Sequence, residues 1–207
     1  MANFFLIISY ISFILLIILT VLSLIKYKQV DQNEKWYIYY ITLIFFVELI
    51  SYIIPYTKIK TNAFMYPVYI AGEFFTITGI FIEKLKLSKY YFIVTGILSL
   101  FFLTADRILI QQQYNNDYSK AVSNLIMISL IAYSLIQNIK ITKGRNRFLM
   151  LDKMFFFYFL VSIFIFMLQN QLISLSIDIF YSIWIINNLM VVLLYSLFIK
   201  TFLQLKK

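Results

Sequence analysis

Long apolar stretches alternate with short polar segments along the whole chain. Each apolar stretch has about the 20 residues that a helix needs to cross the roughly 30 Å hydrocarbon core of a bilayer. The pattern predicts an all-α fold, a polytopic membrane bundle of about seven transmembrane helices that form a single domain over 1–207. The predicted helices cover 4–25, 36–54, 63–82, 90–109, 121–139, 154–168 and 179–202.

Two of these predicted helices are less sharply defined than the others. Asp106 and Arg107 interrupt the fourth, and the sixth is short for a membrane span unless it takes in flanking residues. A count of six spans therefore stays open on the apolar pattern alone.

Composition agrees with a chain that lies in lipid. Hydrophobic residues make up 62% of it and charged residues 13%, whereas a soluble domain is near half apolar and a quarter charged. The lipid bilayer is therefore the first predicted partner.

The cationic residues of the loops indicate an orientation. Fourteen of them lie after the first, third, fifth and seventh predicted helices, and four lie on the opposite side. The first group comprises Lys26, Lys28, Lys35, Lys84, Lys86, Lys89, Lys140, Lys143, Arg145, Arg147, Lys153, Lys200, Lys206 and Lys207, and the second comprises Lys58, Lys60, Arg107 and Lys120. Because short cytoplasmic loops carry the excess of Lys and Arg, we predict an outside amino terminus and a cytoplasmic carboxyl terminus in a bacterial inner membrane. The split favours an odd number of spans.

The net charge of +9 follows from this topology, so a nucleic-acid partner is not expected. The densest basic patch is formed by Lys140, Lys143, Arg145 and Arg147. It is a candidate contact for anionic lipid headgroups or for a cytoplasmic protein partner. A simple positive-inside anchor explains the same residues.

The chain has no cysteine and no histidine. It therefore lacks a thiol nucleophile, a thiolate metal site, the commonest general base and the usual zinc ligand. This composition excludes histidine-zinc membrane hydrolases and phosphorelay histidine kinases. With no catalytic, metal or nucleotide motif, we expect no enzyme activity, no catalytic residues, no metal and no cofactor.

Ionisable and polar residues at membrane depth are the remaining candidates for chemistry, because a charge there is costly and by default marks a functional interior. Asn62, Tyr66, Tyr69 and Glu73 are spaced four, three and four residues apart, which places them on one helix face. We predict a ligand-binding or proton-sensitive core. Its candidate residues are Glu48, Glu73, Tyr52, Tyr66, Tyr69, Asn187 and Asn188.

Two roles for this core stay open. Tyrosine and asparagine could simply satisfy a protonated glutamate between helices. Alternatively, the core is an outward-opening pocket for a small polar or amphipathic ligand, or a carboxyl pair of Glu48 and Glu73 that would not both ionise in a low-dielectric interior.

Two functions compete at this stage. The first is a receptor-like or accessory module that senses a ligand or membrane state and acts through a cytoplasmic partner. The second is an oligomeric pore, carrier or membrane-depolarising defence effector, for which Gly72 and Gly79 offer a shared face for close helix contact. A homo-oligomer is an open partner prediction.

A resemblance to other membrane proteins rests on two features: Glu48 in the second predicted helix, and the run Asn62, Tyr66, Tyr69, Glu73 and Phe74. With them the chain resembles small multi-pass inner-membrane proteins of AT-rich bacteria that occur beside regulators or sensor kinases. In size, span number and composition it is also similar to the multi-pass accessory proteins of type VI-B CRISPR loci. The second resemblance implies an accessory role, and neither group supplies functional residues for this chain.

Overall fold

The computed structural model describes residues 1–57, 61–109, 116–140, 147–172 and 176–205, with the side chains of 55 and 168–172 left undescribed. Every regular element in these ranges is helical. The seven long helices are α1 (Ala2–Lys26), α2 (Lys35–Ile53), α3 (Met65–Lys84), α4 (Tyr90–Ile108), α5 (Asn116–Lys140), α6 (Leu149–Leu172) and α7 (Ile177–Leu203). Short 3-10 turns occupy Tyr27–Gln29, Gln32–Glu34 and Ile54–Tyr56.

All seven helices are long and apolar enough to span a membrane. Large apolar side chains on the outside of the bundle, such as Ile14, Ile97 and Leu125, are exposed. Exposing such an apolar surface to water around the whole molecule would be unfavourable, whereas lipid would cover it. The predicted all-α fold and its seven candidate spans are confirmed.

The helix α3 lies at the centre of the bundle. Thirteen of its 20 residues are buried, and it packs against α2, α4 and α5. A Cβ added at Gly79 would come within 2.5 Å of Trp36 Cε3, and one at Gly72 within 2.7 Å of Leu43 Cδ2. The glycines therefore allow α2 of the same chain to approach closely.

The other helices surround α3. α1 packs against α2 and α7, α6 against α5 and α7, and α4 lies at the periphery, mainly against α3. The core between α2, α6 and α7 is filled by aromatic rings. Tyr37 stacks on Phe148 with 4.4 Å between ring centroids, and Phe155 meets Phe198 edge-on at 5.6 Å.

Two contacts join the helix ends that carry the excess of basic residues, which we call the basic end. Lys84 pairs with Asp152 between α3 and α6. The Lys26 Nζ donates to the Leu205 carbonyl oxygen over 3.0 Å. The amino terminus of α1 and the carboxyl terminus of α2 lie at the other end, which we call the amino-terminal end.

Two helices begin five residues earlier than the apolar pattern predicts. α5 begins at Asn116, ahead of the predicted 121, and α6 at Leu149, ahead of 154. Both additions contain buried charged residues, Lys120 in α5 and Asp152 in α6. Because each has an opposite charge on α3, the helix continues through a residue that hydropathy alone treats as a loop residue.

Candidate functional site: a cavity in the bundle

A cavity of about 570 Å³ lies between α1, α2, α3, α6 and α7 towards the amino-terminal end. Its size falls within the roughly 300–1,000 Å³ of small-molecule sites. The exposed Asn62 and Ala63 form part of its rim, and the buried Leu16, Tyr40 and Leu194 form its floor. The cavity therefore occupies one half of the bundle, and the aromatic core fills the other.

The cavity wall combines aromatic rings with a few polar groups, the usual composition of a small-molecule site. Apolar rings come from α1 and α6, and tyrosines from α2, α3, α6 and α7. The aromatic wall residues are Phe5, Phe13, Tyr40, Tyr66, Tyr69, Tyr158, Phe166, Trp184 and Tyr195.

Glu48 provides the acidic group of this wall. Apart from tyrosines, Glu48 is the one ionisable residue among the described residues that line the cavity. Its side chain is exposed, and no hydrogen bond or ion pair joins it to the part of the chain that the structure describes. The cavity therefore presents one carboxyl group to whatever enters.

The α7 side of the wall holds polar groups whose hydrogen bonding is incomplete. Asn188 Nδ2 donates to Ser9 Oγ of α1 over 2.9 Å. Trp184 Nε1, one helical turn before Asn188, and Oδ1 of the adjacent Asn187 are buried with no hydrogen-bond partner among the described residues. Such atoms are rare in folded proteins, and here both belong to residues of one cavity wall.

Behind the wall lies a buried ion pair between α3 and α5. The Lys120 ammonium donates to Glu73 Oε2, and the two side chains are 1% and 0% exposed. Tyr69 Oη donates to the other carboxylate oxygen, Oε1, over 2.7 Å. Each charge thus has a partner, as burial away from water requires.

Tyr69 connects this ion pair to the cavity. Its hydroxyl lies 3.2 Å from the Tyr158 hydroxyl and accepts a hydrogen bond from Lys120 Nζ over 3.3 Å. Because its single proton is directed at Glu73, Tyr158 is the donor between the two tyrosines. The Lys120 ammonium also lies over the Tyr69 ring, 4.4 Å from its centroid.

A second tyrosine of the wall also bonds to α5. Tyr66 Oη donates to Asp117 Oδ1 over 3.1 Å. Tyr66 and Tyr69 lie on the same face of α3, as their spacing predicts. Both line the cavity while they hold charged residues of α5, so a change in the cavity would act on the contact between α3 and α5.

The structure brings five of the seven predicted core residues to the cavity: Glu48, Tyr66, Tyr69, Asn187 and Asn188. Glu73 lies behind Tyr69 and is balanced by Lys120, not by a shared proton with Glu48. Tyr52 is not among the lining residues. It is half-exposed and stacks on Phe13 at 5.4 Å.

The sequence pattern misses Lys120, Tyr158 and Trp184. It assigns Lys120 to an outer loop, although a glutamate in the middle of α3 needs a cation within reach. The position of Lys120 at the edge of an apolar stretch was the sequence feature that could have indicated this cation. Trp184 lies four residues before Asn188 and therefore on the same helix face, which was the signal for it. Tyr158 had none, since aromatic residues are abundant throughout the chain.

The predicted basic patch is only partly described. Arg147 Nη2 bonds to Asp31 Oδ2 at 2.6 Å and to Glu34 Oε2 at 2.8 Å, which ties the start of α6 to the segment before α2. Lys140 is exposed at the end of α5. Lys143 and Arg145 lie outside the described residues. Beside this patch, Tyr37 Oη donates to Asp152 Oδ1 over 2.5 Å.

Within the described ranges, no group of three or more acidic side chains is close enough to hold a metal ion. No family model, no curated protein and no solved structure matches this chain. The two resemblances drawn from the sequence therefore stay predictions, and the cavity itself is the basis for assigning a function.

Proposed function

We propose that this chain is a non-enzymatic, receptor-like or accessory module of a bacterial inner membrane. It binds a small ligand in the cavity and passes the change to a cytoplasmic protein partner. In this proposal the amino-terminal end faces outward and the basic end faces the cytoplasm, as the loop charges predict.

The position of Tyr69 is the observation that carries the proposal. This residue lines the cavity and also hydrogen-bonds Glu73 of the ion pair that joins α3 to α5. A ligand that moves Tyr69 removes a hydrogen bond from a buried carboxylate, which is costly. The central helix and α5 would shift to restore it. Both helices end at the basic end, where Lys84 and Lys140 lie.

The alternative predicted from the sequence, an oligomeric pore, carrier or membrane-depolarising effector, has less support. Gly72 and Gly79, which suggested a contact face between copies, pack against α2 of the same chain. Glu73 is neutralised by Lys120. The buried Leu16, Tyr40 and Leu194 form the floor of the cavity.

A cavity-filling variant tests the proposal without knowledge of the natural ligand. Ser51 lines the cavity, so Ser51→Trp imitates occupancy. Ser129 is exposed on α5, away from the cavity, and Ser129→Trp is the matched control. Because the chain has no cysteine, spin labels can be attached through Lys86→Cys and Lys153→Cys at the basic end.

We expect Ser51→Trp to shift the distance distribution between the two labels in nanodiscs by about 1–2 Å, as is typical of helix shifts. The control should leave it unchanged. Identical distance distributions for the two tryptophan variants would contradict the proposal that a change in the cavity shifts the helices at the basic end.

A further inference from the structure

We infer that the ligand of this cavity is an amphipathic organic cation, a primary ammonium group carried on an apolar body. The inference deepens the proposed function and rests on it, because it names the chemistry of the ligand for the same cavity.

The charge of the wall selects a cation. Glu48 lines the cavity, whose described wall contains no lysine or arginine. Lys120, which lies behind the wall, already pairs with Glu73. A carboxylate at membrane depth without a counter-charge is costly, and a cationic ligand would supply one. An anionic ligand would meet the same charge with repulsion.

The remaining polar groups favour an ammonium with hydrogen atoms to donate. Such a group has three donors and no acceptor. Glu48 offers carboxylate oxygens, and Asn187 Oδ1 is a buried acceptor without a partner among the described residues. The rings of Tyr195 and Trp184 line the same cavity, and aromatic faces attract cations that are held over them.

The volume of the cavity and the apolar part of its wall indicate a ligand larger than a small inorganic ion. A volume of about 570 Å³ is far larger than a bare ion fills, and Phe5, Phe13 and Phe166 offer apolar surface to a hydrocarbon body. Two sources share this chemistry, a soluble amine and the headgroup of an aminophospholipid. The experiment separates them.

Trp184 provides the readout because it lines the cavity, and the chain has only one other tryptophan. That residue, Trp36, packs on Phe92 away from the cavity and is replaced by Phe in every sample. Trp184 fluorescence is then titrated in phosphatidylglycerol nanodiscs, whose lipid carries no ammonium. The probes are phenethylamine, 2-phenylethanol and phenylacetate, which are matched in shape and differ in charge.

We expect phenethylamine to bind at least about tenfold more tightly than 2-phenylethanol, and phenylacetate to bind most weakly. Glu48→Gln should abolish the preference for the amine while 2-phenylethanol binds as before. Glu83→Gln is the matched control, because it removes one carboxylate of α3 that does not line the cavity. It should preserve the preference.

The other outcomes are distinct. Equal binding of amine and alcohol, insensitive to Glu48→Gln, would overturn the cationic ligand and leave a ligand-binding cavity. No binding of any probe would overturn the proposed function together with this inference. If phosphatidylethanolamine nanodiscs suppress phenethylamine binding in the parent but not in Glu48→Gln, the ammonium is supported and its source is the lipid. If they do not, the source is a soluble amine.

Discussion

At the scale of single residues, the fully buried charges are held in pairs, whereas Glu48 faces the cavity with no partner among the described residues. Glu73 and Lys120 join α3 to α5, and Asp152 accepts from both Tyr37 and Lys84. Removing one member leaves the other as an uncompensated buried charge, which costs more than the pair itself contributes. The pairs therefore define which helix faces can meet.

Variants of the ion pair between Glu73 and Lys120 should therefore differ in stability. Lys120→Met should lower the free energy of unfolding by about 3–5 kcal/mol, because Glu73 stays buried without its cation. Adding Glu73→Gln to that variant should recover much of the loss, since both charges are then gone. Unfolding by SDS in mixed micelles would measure the free energies.

Lys140→Met is the control for this series, because Lys140 is exposed at the end of the same helix. It should unfold like the parent chain. If Lys120→Met is as stable as the control, or if the double variant is less stable than Lys120→Met alone, the pair does not hold α3 to α5 as described.

At the scale of helices, close approach of α2 and α3 depends on the absence of a side chain at Gly79. The indole ring that faces this position is itself packed, with Trp36 stacked on Phe92 at 5.4 Å and edge-on to Phe75 at 5.7 Å. The ring cannot move aside without disturbing α4 as well. Leu43, which faces Gly72, is a more flexible neighbour.

We therefore expect Gly79→Ala to destabilise the bundle by about 1–3 kcal/mol, as overpacking does. Gly96→Ala on α4 is a matched change, because a Cβ there would meet Phe75 at an ordinary 4.0 Å. That variant should be neutral or slightly stabilising, since it only restricts the unfolded chain. Thermal unfolding in detergent would compare them, and equal midpoints would contradict the α2–α3 packing.

The helices also show how far the sequence could predict the structure. The number of candidate spans follows from apolar length alone, and the face shared by Tyr66, Tyr69 and Glu73 follows from helical spacing. The starts of α5 and α6 do not follow from the sequence, because Lys120 and Asp152 are acceptable in a membrane helix only beside Glu73 and Lys84. Such pairing is a property of the assembled bundle.

The cavity was predictable only in part for the same reason. Glu48 and the tyrosines of α3 stand out as polar residues in apolar helices. Tyr158 does not stand out, since its place in the wall depends on how α6 packs against α5 and α7. The partner of Glu73 was also missed, because two acidic residues in neighbouring spans suggested a pair with each other.

At the scale of the whole molecule, the two ends of the bundle differ in character. The amino-terminal end contains a cavity with one carboxyl group, and the basic end has a packed aromatic core beneath exposed cations. Ligand binding at one end and protein contact at the other is the division that the proposed function requires.

The proposed protein contact can be tested by charge reversal at the basic end. Lys140→Glu combined with Lys143→Glu should reduce crosslinked recovery of the cytoplasmic partner severalfold, because it replaces attraction by repulsion. Arg147 is left unchanged, since it bridges Asp31 and Glu34 within the chain. Quantitative mass spectrometry after crosslinking in native membranes gives the readout, with Lys140→Gln and Lys143→Gln as a milder comparison. Unchanged recovery would contradict a partner site at this patch.

The central claim is that the cavity is a ligand site that is open to the outside of the cell, and thiol labelling tests it most directly. The chain has no cysteine, so Ser12→Cys places a single thiol in the cavity wall. Ser162→Cys is the control, because Ser162 is fully buried in α6 beside Asn124. We predict that a membrane-impermeant maleimide added to intact spheroplasts labels Ser12→Cys and spares Ser162→Cys. Labelling of Ser12→Cys only from the cytoplasmic side, or from neither side, would contradict the account.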